Sequence, residues 1–193
     1  MIKLLVFAGS ARKASTNKQL AALAARTAKE EGAEVTLIDL ADFDMPIYNG
    51  DLEADTGLPE NAKRLKQLFV EHDGFFIASP EYNSSIAAVL KNALDWVSRP
   101  HTENEPVLWA FQGKVAAIGS VAPGALGGLR GLAPLRMMLG NIGVTVVPAQ
   151  VAVSDGFNAF SEDGVLVADM PAGMLKTTVM QLVKTTGALK RDA

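Results

Sequence analysis

The stretch GSARKASTN, residues 9–17, sets the guanidinium of Arg12 among the hydroxyls of Ser10, Ser15 and Thr16 and the side-chain amide of Asn17, with Gly9 at its head. It follows directly on the apolar run IKLLVFA. None of these side chains packs a core. Backbone N–H groups at a helix start, together with hydroxyls and a forked cation, form the donor set that holds an oxyanion such as a phosphate monoester. Ser15, Thr16 or Asn17 can cap the helix and face that anion. From the loop alone two readings stay open: an anion-binding turn, and an ordinary capped turn with Arg12 facing solvent. The chain lacks G-x-x-x-x-G-K-[ST], and no G-x-G-x-x-G follows the first apolar run. The expected anion is therefore one terminal phosphate rather than a bridging pyrophosphate.

Two further stretches carry chemistry. In SPEYNSSI (79–86), Pro80 stiffens the chain, and Glu81, Tyr82 and Asn83 expose backbone donors and acceptors against which a flat heteroaromatic can lie. The same residues also read as a plain turn with Ser84 or Ser85 as a helix cap. Asn83-Ser84-Ser85 matches a glycosylation acceptor, discounted without a secretory signal. In SVAPGALGG (120–128), Gly124, Gly127 and Gly128 allow a ligand to approach the backbone closely.

The elements that position these loops follow from periodicity. Strand-like runs recur at 2–8, 34–40, 74–79, 114–120 and 144–153, and in the first, Leu4, Leu5, Val6 and Phe7 are unbroken by polar residues, which suggests burial on both faces, as in a parallel sheet. Between them, helical stripes recur: Leu20, Leu23, Ala24 and Thr27; Ala62, Leu65, Leu68 and Phe69; Ile86, Val89, Leu90, Ala93, Leu94 and Val97; Leu132, Leu135, Leu139 and Ile142, with Pro134 at a start or a kink. A last helix spans about 172–186. Alternating strands and helices imply an α/β, doubly wound, five-stranded parallel sheet with helices on both faces. With strand order 2-1-3-4-5, ligands bind beyond the carboxyl ends of strands one and three, where the first two loops lie. Residues 41–60 read as a long solvated acidic loop, and its carboxylates lack EF-hand spacing for calcium.

Composition sets the outer bounds. The 193 residues suit one domain, 1–193, with its own core, and 49% hydrophobic against 20% charged is ordinary for a globular chain. A net charge of −3 argues against a nucleic-acid surface. The absence of cysteine excludes disulfides and thiol catalysis. The N-terminal apolar run is shorter than a signal-peptide core and reads as a first strand, and no stretch is long enough to span a membrane. A cytoplasmic location without membrane attachment is the expectation.

The loop GSARKASTN, the run PEYNSSIAAVLKNALDWVSRP and the Gly-rich loop, in that order, resemble the NADPH-dependent FMN reductase family over roughly residues 1–155. The combination of P-E-Y-N with L-K-N-A-L-D-W-V-S-R is the specific part. The resemblance implies a flavodoxin-like fold. It implies FMN as cofactor and NADPH (or NADH) as co-substrate, with a quinone, azo dye, flavin or metal oxyanion as small-molecule acceptor. It assigns Gly9, Ser10, Arg12, Ser15, Thr16 and Asn17 to the FMN phosphate, Pro80, Glu81, Tyr82 and Asn83 to the isoalloxazine, and Ser120 and Gly124 to the far side of the ring. No side chain is assigned a catalytic role and no metal is expected.

A homodimer or homotetramer through the Lys91–Arg99 helix is also implied, with Asn92, Asp95 and Trp96 off the apolar stripe as a second buried face; the alternative is intramolecular, with Trp96 covering a helix edge. Arg99 is expected at a nicotinamide 2′-phosphate or in an interface ion pair. His101 is a candidate substrate contact, and His72 a capping or surface residue. Two departures stand out: Thr16 where many relatives carry an aromatic, and Ala87-Ala88 where many carry Pro-Gly. The competing functional class is a non-enzymatic FMN-binding electron carrier or redox-sensing module.

Overall fold

The computed structural model describes residues 1–191. Five parallel strands, β1 (Lys3–Ala8), β2 (Glu34–Asp39), β3 (Gly74–Ala78), β6 (Val115–Val121) and β7 (Thr145–Val153), form one sheet in the order β2-β1-β3-β6-β7. Counted along the main sheet this is 2-1-3-4-5, as the alternation of strands and helices predicts. Helices α1 (Thr16–Glu30) and α6 (Asp169–Arg191) cover one face. Helices α3 (Glu60–Glu71), α4 (Ala88–Ser98) and α5 (Leu129–Asn141) cover the other. α5 starts ahead of Pro134, which lies inside it.

Side-chain alternation along each strand divides the core in two. Leu4, Val6, Phe76, Ala78 and Ala117 meet the α1/α6 layer. Leu5, Phe7, Phe75, Ile77 and Ile118 meet the α3/α4/α5 layer, where Phe7, Phe75 and Phe111 stand edge-on to Phe69 with centroids 5.1–5.6 Å apart. Both layers are largely apolar, although Lys66, Thr178 and Thr186 on the covering helices are also buried, and this two-sided cover is why β1, β3 and β6 read as near-continuous apolar runs.

The outermost strand carries an irregularity. Ala116 pairs with Val146 but Ile118 pairs with Gln150, so β7 bulges around Pro148. From one face the Arg136 guanidinium donates to the carbonyls of Val146, Val147 and Pro148 and to Gln150 Oε1. From the other, Gln181 Oε1 accepts from the Ala149 N–H at 3.0 Å. Burial pushes the Arg136 pKa down from its ordinary value.

Residues 43–58 depart from the expected solvated loop. They contain helix α2 (Gly50–Thr56), capped by Asn49 Oδ1 accepting from Asp51 N–H at 2.8 Å, and they strap across α4. Trp96 Nε1 donates to Pro46 O at 2.8 Å, Tyr48 N–H donates to Asn92 Oδ1 at 2.7 Å, and the Tyr48 and Trp96 rings meet edge-on at 5.0 Å. Trp96, Leu58 and Ala62 form a small core of their own. The second buried face of α4 is thus filled by the chain's own strap at Asn92 and Trp96, because the apolar Tyr48, Leu52 and Leu58 interrupt the acidic residues. Asp95 stays partly exposed and pairs with Lys91 at 2.7 Å.

His72 caps α3 as expected but is buried rather than on the surface, with Nδ1 2.6 Å from Leu68 O and Nε2 2.7 Å from Thr36 Oγ1.

Four carboxylates tie distant elements together: Asp39 to Lys18, Glu53 to Arg99 and Tyr48, Asp73 to Lys190 and the Lys3 N–H, and Glu105 to Lys66 and the His101 N–H. Burial pushes each of their pKa values up, but these hydrogen bonds outweigh it and hold all four below the ordinary carboxylate range. With depressed folded-state values, the unfolded chain binds more protons in acid. Stability contributed by these groups is therefore fully present above pH of about 4.3 and is lost as pH falls through the folded values. Urea midpoints should agree at pH 7 and 5.5 and drop steeply from pH 4.5 to 3; a flat profile across that lower range would contradict these pairings.

Candidate functional site

A cleft of about 280 Å³ opens beyond the carboxyl ends of β1, β3, β6 and β7. Strand order reverses between β1 and β3, so the loops leaving these strands diverge and leave a crevice. Gly9, the first residue after β1, packs directly on α4: a Cβ there would lie 2.8 Å from Leu90 Cδ2. That close approach brings α4 under the floor of the cleft.

The loop from Ser10 to Ser15 then turns into α1. Ser10 and Ser15 are buried, and Arg12 N–H donates to Ser10 Oγ at 3.3 Å. Ser15 stands at the N-cap of α1 with extended backbone but makes no side-chain capping bond. Among the described residues neither the Thr16 nor the Asn17 backbone N–H has an acceptor, and Arg12 has no carboxylate partner. This corner of the cleft is consequently all donors: first-turn N–H groups, the Ser15 and Thr16 hydroxyls and a guanidinium, at the positive end of a fifteen-residue helix.

Asn17 plays a different part from the one expected. Its side-chain amide is buried and bonded to the backbone of one residue: Nδ2 donates to Val121 O at 2.9 Å and Oδ1 accepts from Val121 N–H at 3.0 Å. It clamps the end of β6 to the start of α1, and only its backbone N–H faces the anion corner.

The opposite wall is a miniature hairpin. β4 (Glu81–Tyr82) pairs antiparallel with β5 (Ser85–Ile86) through a turn in which Asn83 and Ser84 both have positive φ, 52° and 61°. Such a turn matches the strand twist and leaves its peptide groups outward. Tyr82 on the hairpin and Phe157 on the loop after β7 are both exposed and face the cleft from two sides. The Glu81 carboxylate turns away from the anion corner, accepting from the Gly131 N–H of α5 at 2.9 Å.

Of the residues singled out in the sequence, Ser10, Arg12, Ser15, Thr16, Asn17, Pro80, Glu81 and Tyr82 line the cleft together. The others do not. Gly9 lies beneath it, Asn83 sits at the hairpin tip, and Gly124 makes a turn in which its carbonyl accepts from Gly127 N–H. Ser120 is fully buried behind Gly128, where its Oγ has no hydrogen-bond partner. Val121, Ala122 and Pro123, from the stretch 120–128 singled out in the sequence, complete the lining with Gly156 and Phe157, which no motif in the sequence marks. The signal for the last two is their place directly after the fifth strand, at the same sheet edge as the other loops.

Arg99 and His101 lie elsewhere. They border a separate cavity of about 590 Å³ beside the strap, with Lys63 and Glu53. Arg99 Nε donates to both Glu53 oxygens at 2.9 and 3.0 Å, and His101 Nδ1 is 3.0 Å from Glu105 Oε2. The ion pair expected for Arg99 is therefore internal, and neither residue lines the cleft. Among the described residues no group of three or more His, Asp or Glu side chains is arranged to hold a metal ion, and no helix is long and apolar enough to cross a membrane.

The family model for NADPH-dependent FMN reductases matches residues 2–158, four fifths of the chain and every loop of the cleft. The chain belongs to this family. An NAD(P)H-dependent FMN reductase of Pseudomonas aeruginosa is 34% identical over 182 residues, 94% of this chain and 93% of that protein. A 2-hydroxy-1,4-benzoquinone reductase of a Burkholderia species is 40% identical over 127 residues, covering 65% of this chain and 63% of that protein. Among solved structures, the flavoenzyme NAD(P)H:(acceptor) oxidoreductase FerB of Paracoccus denitrificans superposes with a TM-score of 0.80 at 31% identity, covering 97% of this chain and 98% of that one.

As a member of the FMN reductase family the protein is an oxidoreductase with FMN as cofactor and NAD(P)H as co-substrate. The cleft fits the cofactor. Its anion corner gathers the first-turn N–H groups of α1, hydroxyls and the Arg12 guanidinium, and the Glu81 carboxylate that also lines the cleft is engaged by α5. Its far wall offers the flat Pro80–Tyr82 surface.

Proposed function

We propose that the cleft holds FMN with its phosphate on the Ser10–Asn17 loop and its ring along Pro80–Tyr82, and that the protein reduces quinone-type acceptors by a ping-pong mechanism. Bound FMN would supply the two-electron redox chemistry by which NADPH, a quinone and a proton from water become NADP⁺ and the hydroquinone. The protein binds and orients. Arg12 and the first turn of α1 neutralise the phosphate, the Asn17 clamp keeps the two cleft-forming loops at fixed separation, and the hairpin backbone directs the edge of the ring. Tyr82 and Phe157 border one mouth, through which donor and acceptor must pass in turn. Azo dyes, free flavins and metal oxyanions are further acceptor classes within the same proposal. The observation that carries this reading is the donor-only corner at the head of α1, placed at the reversal of strand order.

Arg12→Ala should weaken FMN binding about 10- to 100-fold, the loss of one charge-assisted contact, without lowering the melting temperature of the apoprotein. Fluorescence titration of FMN reads this directly, and equal affinities would move the phosphate elsewhere. The activity itself is tested by an anaerobic absorbance spectrum of the FMN-loaded protein. Bleaching on NADPH addition, reversed by a quinone, is expected; a flavin that stays oxidised with NADPH would instead mark an electron carrier or redox sensor. An assembly through α4 is also proposed, with Val89, Lys91 and Asp95 as the part of that helix still exposed, and light scattering in solution tests it.

A further inference from the structure

The hairpin Glu81–Ile86 is too short to hold itself. Two strands of two residues each, joined by two left-handed residues, have no independent stability in water. Something must fix it if it is to direct a ring. The fixing is concentrated at the head of α5. Gly128 stands at the N-cap with φ 86° and therefore has no side chain to satisfy the first-turn N–H groups. Gly131 N–H donates within the turn to the Gly128 carbonyl at 3.1 Å, and the Glu81 carboxylate reaches it from outside as a second, closer acceptor at 2.9 Å.

The glycines make this approach possible. A Cβ on Gly131 would lie 3.1 Å from Ser85 O and 3.2 Å from Glu81 Cβ, and one on Gly128 would overlap Ser120 Oγ. Gly131 inside a helix has a helix-propensity cost, and the close seat of the hairpin explains why it stands there. Both strands of the hairpin, through Glu81 and Ser85, thus rest on a single helical turn.

We infer that Glu81 is a positioning residue for the cofactor: its carboxylate, by capping α5 at Gly131, locks the hairpin that directs the ring, although the side chain itself faces away from the anion corner. This rests on the reading that the cleft holds FMN. The bond spans fifty residues of chain, and a negative charge at a helix N-terminus is also stabilised by the helix dipole.

Substitutions separate the bond from the charge. Gln at this position keeps the acceptor oxygen and loses the charge; Asp keeps the charge and is one methylene too short to reach Gly131; Ala loses both. FMN affinity is read by fluorescence titration, the bound flavin's visible band by absorbance, and the amides of the closing pair Tyr82 and Ser85 by hydrogen exchange. Glu81→Ala and Glu81→Asp should each weaken FMN about tenfold or more, speed exchange at that pair and blur the band's vibrational shoulders. Glu81→Gln should stay within about threefold of the parent with its band shape intact. Should Glu81→Ala fail to fold, the Asp and Gln pair decides. The inference falls if Glu81→Asp binds FMN like the parent, or if Glu81→Gln is as weak as Glu81→Asp. A parent protein that binds no FMN at all would overturn the cofactor reading instead, while exchange at the Tyr82–Ser85 pair still reports on the lock.

Discussion

Asn17→Ala is expected to cost about 2–4 kcal/mol of unfolding free energy and to weaken FMN binding in the same stroke. The reason is the reciprocal pair of buried bonds with Val121. Removing the amide leaves both the N–H and the C=O of Val121 without partners, and each unsatisfied buried group costs about 1–3 kcal/mol. The clamp joins residues 104 positions apart, so no local rearrangement replaces it. Because it holds the end of β6 against the head of α1, its loss also lets the two cleft-forming loops separate. Urea denaturation and FMN titration read the two effects. Asn17→Asp makes a useful companion: it can still accept from Val121 N–H, but it sets a carboxylate against Val121 O and beside the anion corner. A fall in stability without any fall in FMN affinity would show that the clamp serves the fold alone.

Lys66→Met should be the more damaging change to the fold. The Lys66 side chain is 1% exposed and its Glu105 partner 2%. The ammonium bonds to Glu105 and also donates to Arg99 O at 2.5 Å. Deleting one member of such a pair leaves a buried charge uncompensated and costs about 3–5 kcal/mol, whereas replacing both members by neutral groups is often close to neutral. Lys66→Met combined with Glu105→Gln should therefore recover most of the loss, the Gln oxygen still accepting from His101 N–H. Urea unfolding of the two single variants and the double variant forms the cycle. Additive losses would mean that the two charges do not depend on each other. FMN affinity of the refolded single variant should change little, since neither residue lines the cleft.

These two side chains show how unevenly the molecule is legible in its sequence. The sheet is written in continuous apolar runs because both faces of β1, β3 and β6 are covered, and the order of loops along the chain then places the cleft. The anion corner is equally plain, being one contiguous stretch. The role of Asn17 is not, because its partner is a backbone group on a distant strand and no residue type marks it. Lys66 was legible in principle: Ala62, Leu65, Lys66 and Phe69 fall on one helical face, and a lysine inside an apolar stripe requires a buried carboxylate somewhere. The strap was hidden by its own composition, since Asp and Glu outnumber Tyr48, Leu52 and Leu58, which have no regular spacing. The hairpin was hidden by its size, as two-residue strands have no periodicity to read.

The clasped bulge on β7 has a meaning beyond this one chain. An outer strand is normally a template on which a neighbour's strand can form. Here Pro148 removes a donor, Arg136 occupies three successive carbonyls and Gln181 covers the next N–H. A strand from another molecule arriving at the bulge would have to displace a guanidinium before making its first bond. The sheet is thereby closed to growth at the middle of that edge, and encounters between copies in a crowded solution are steered away from fibre-like stacking.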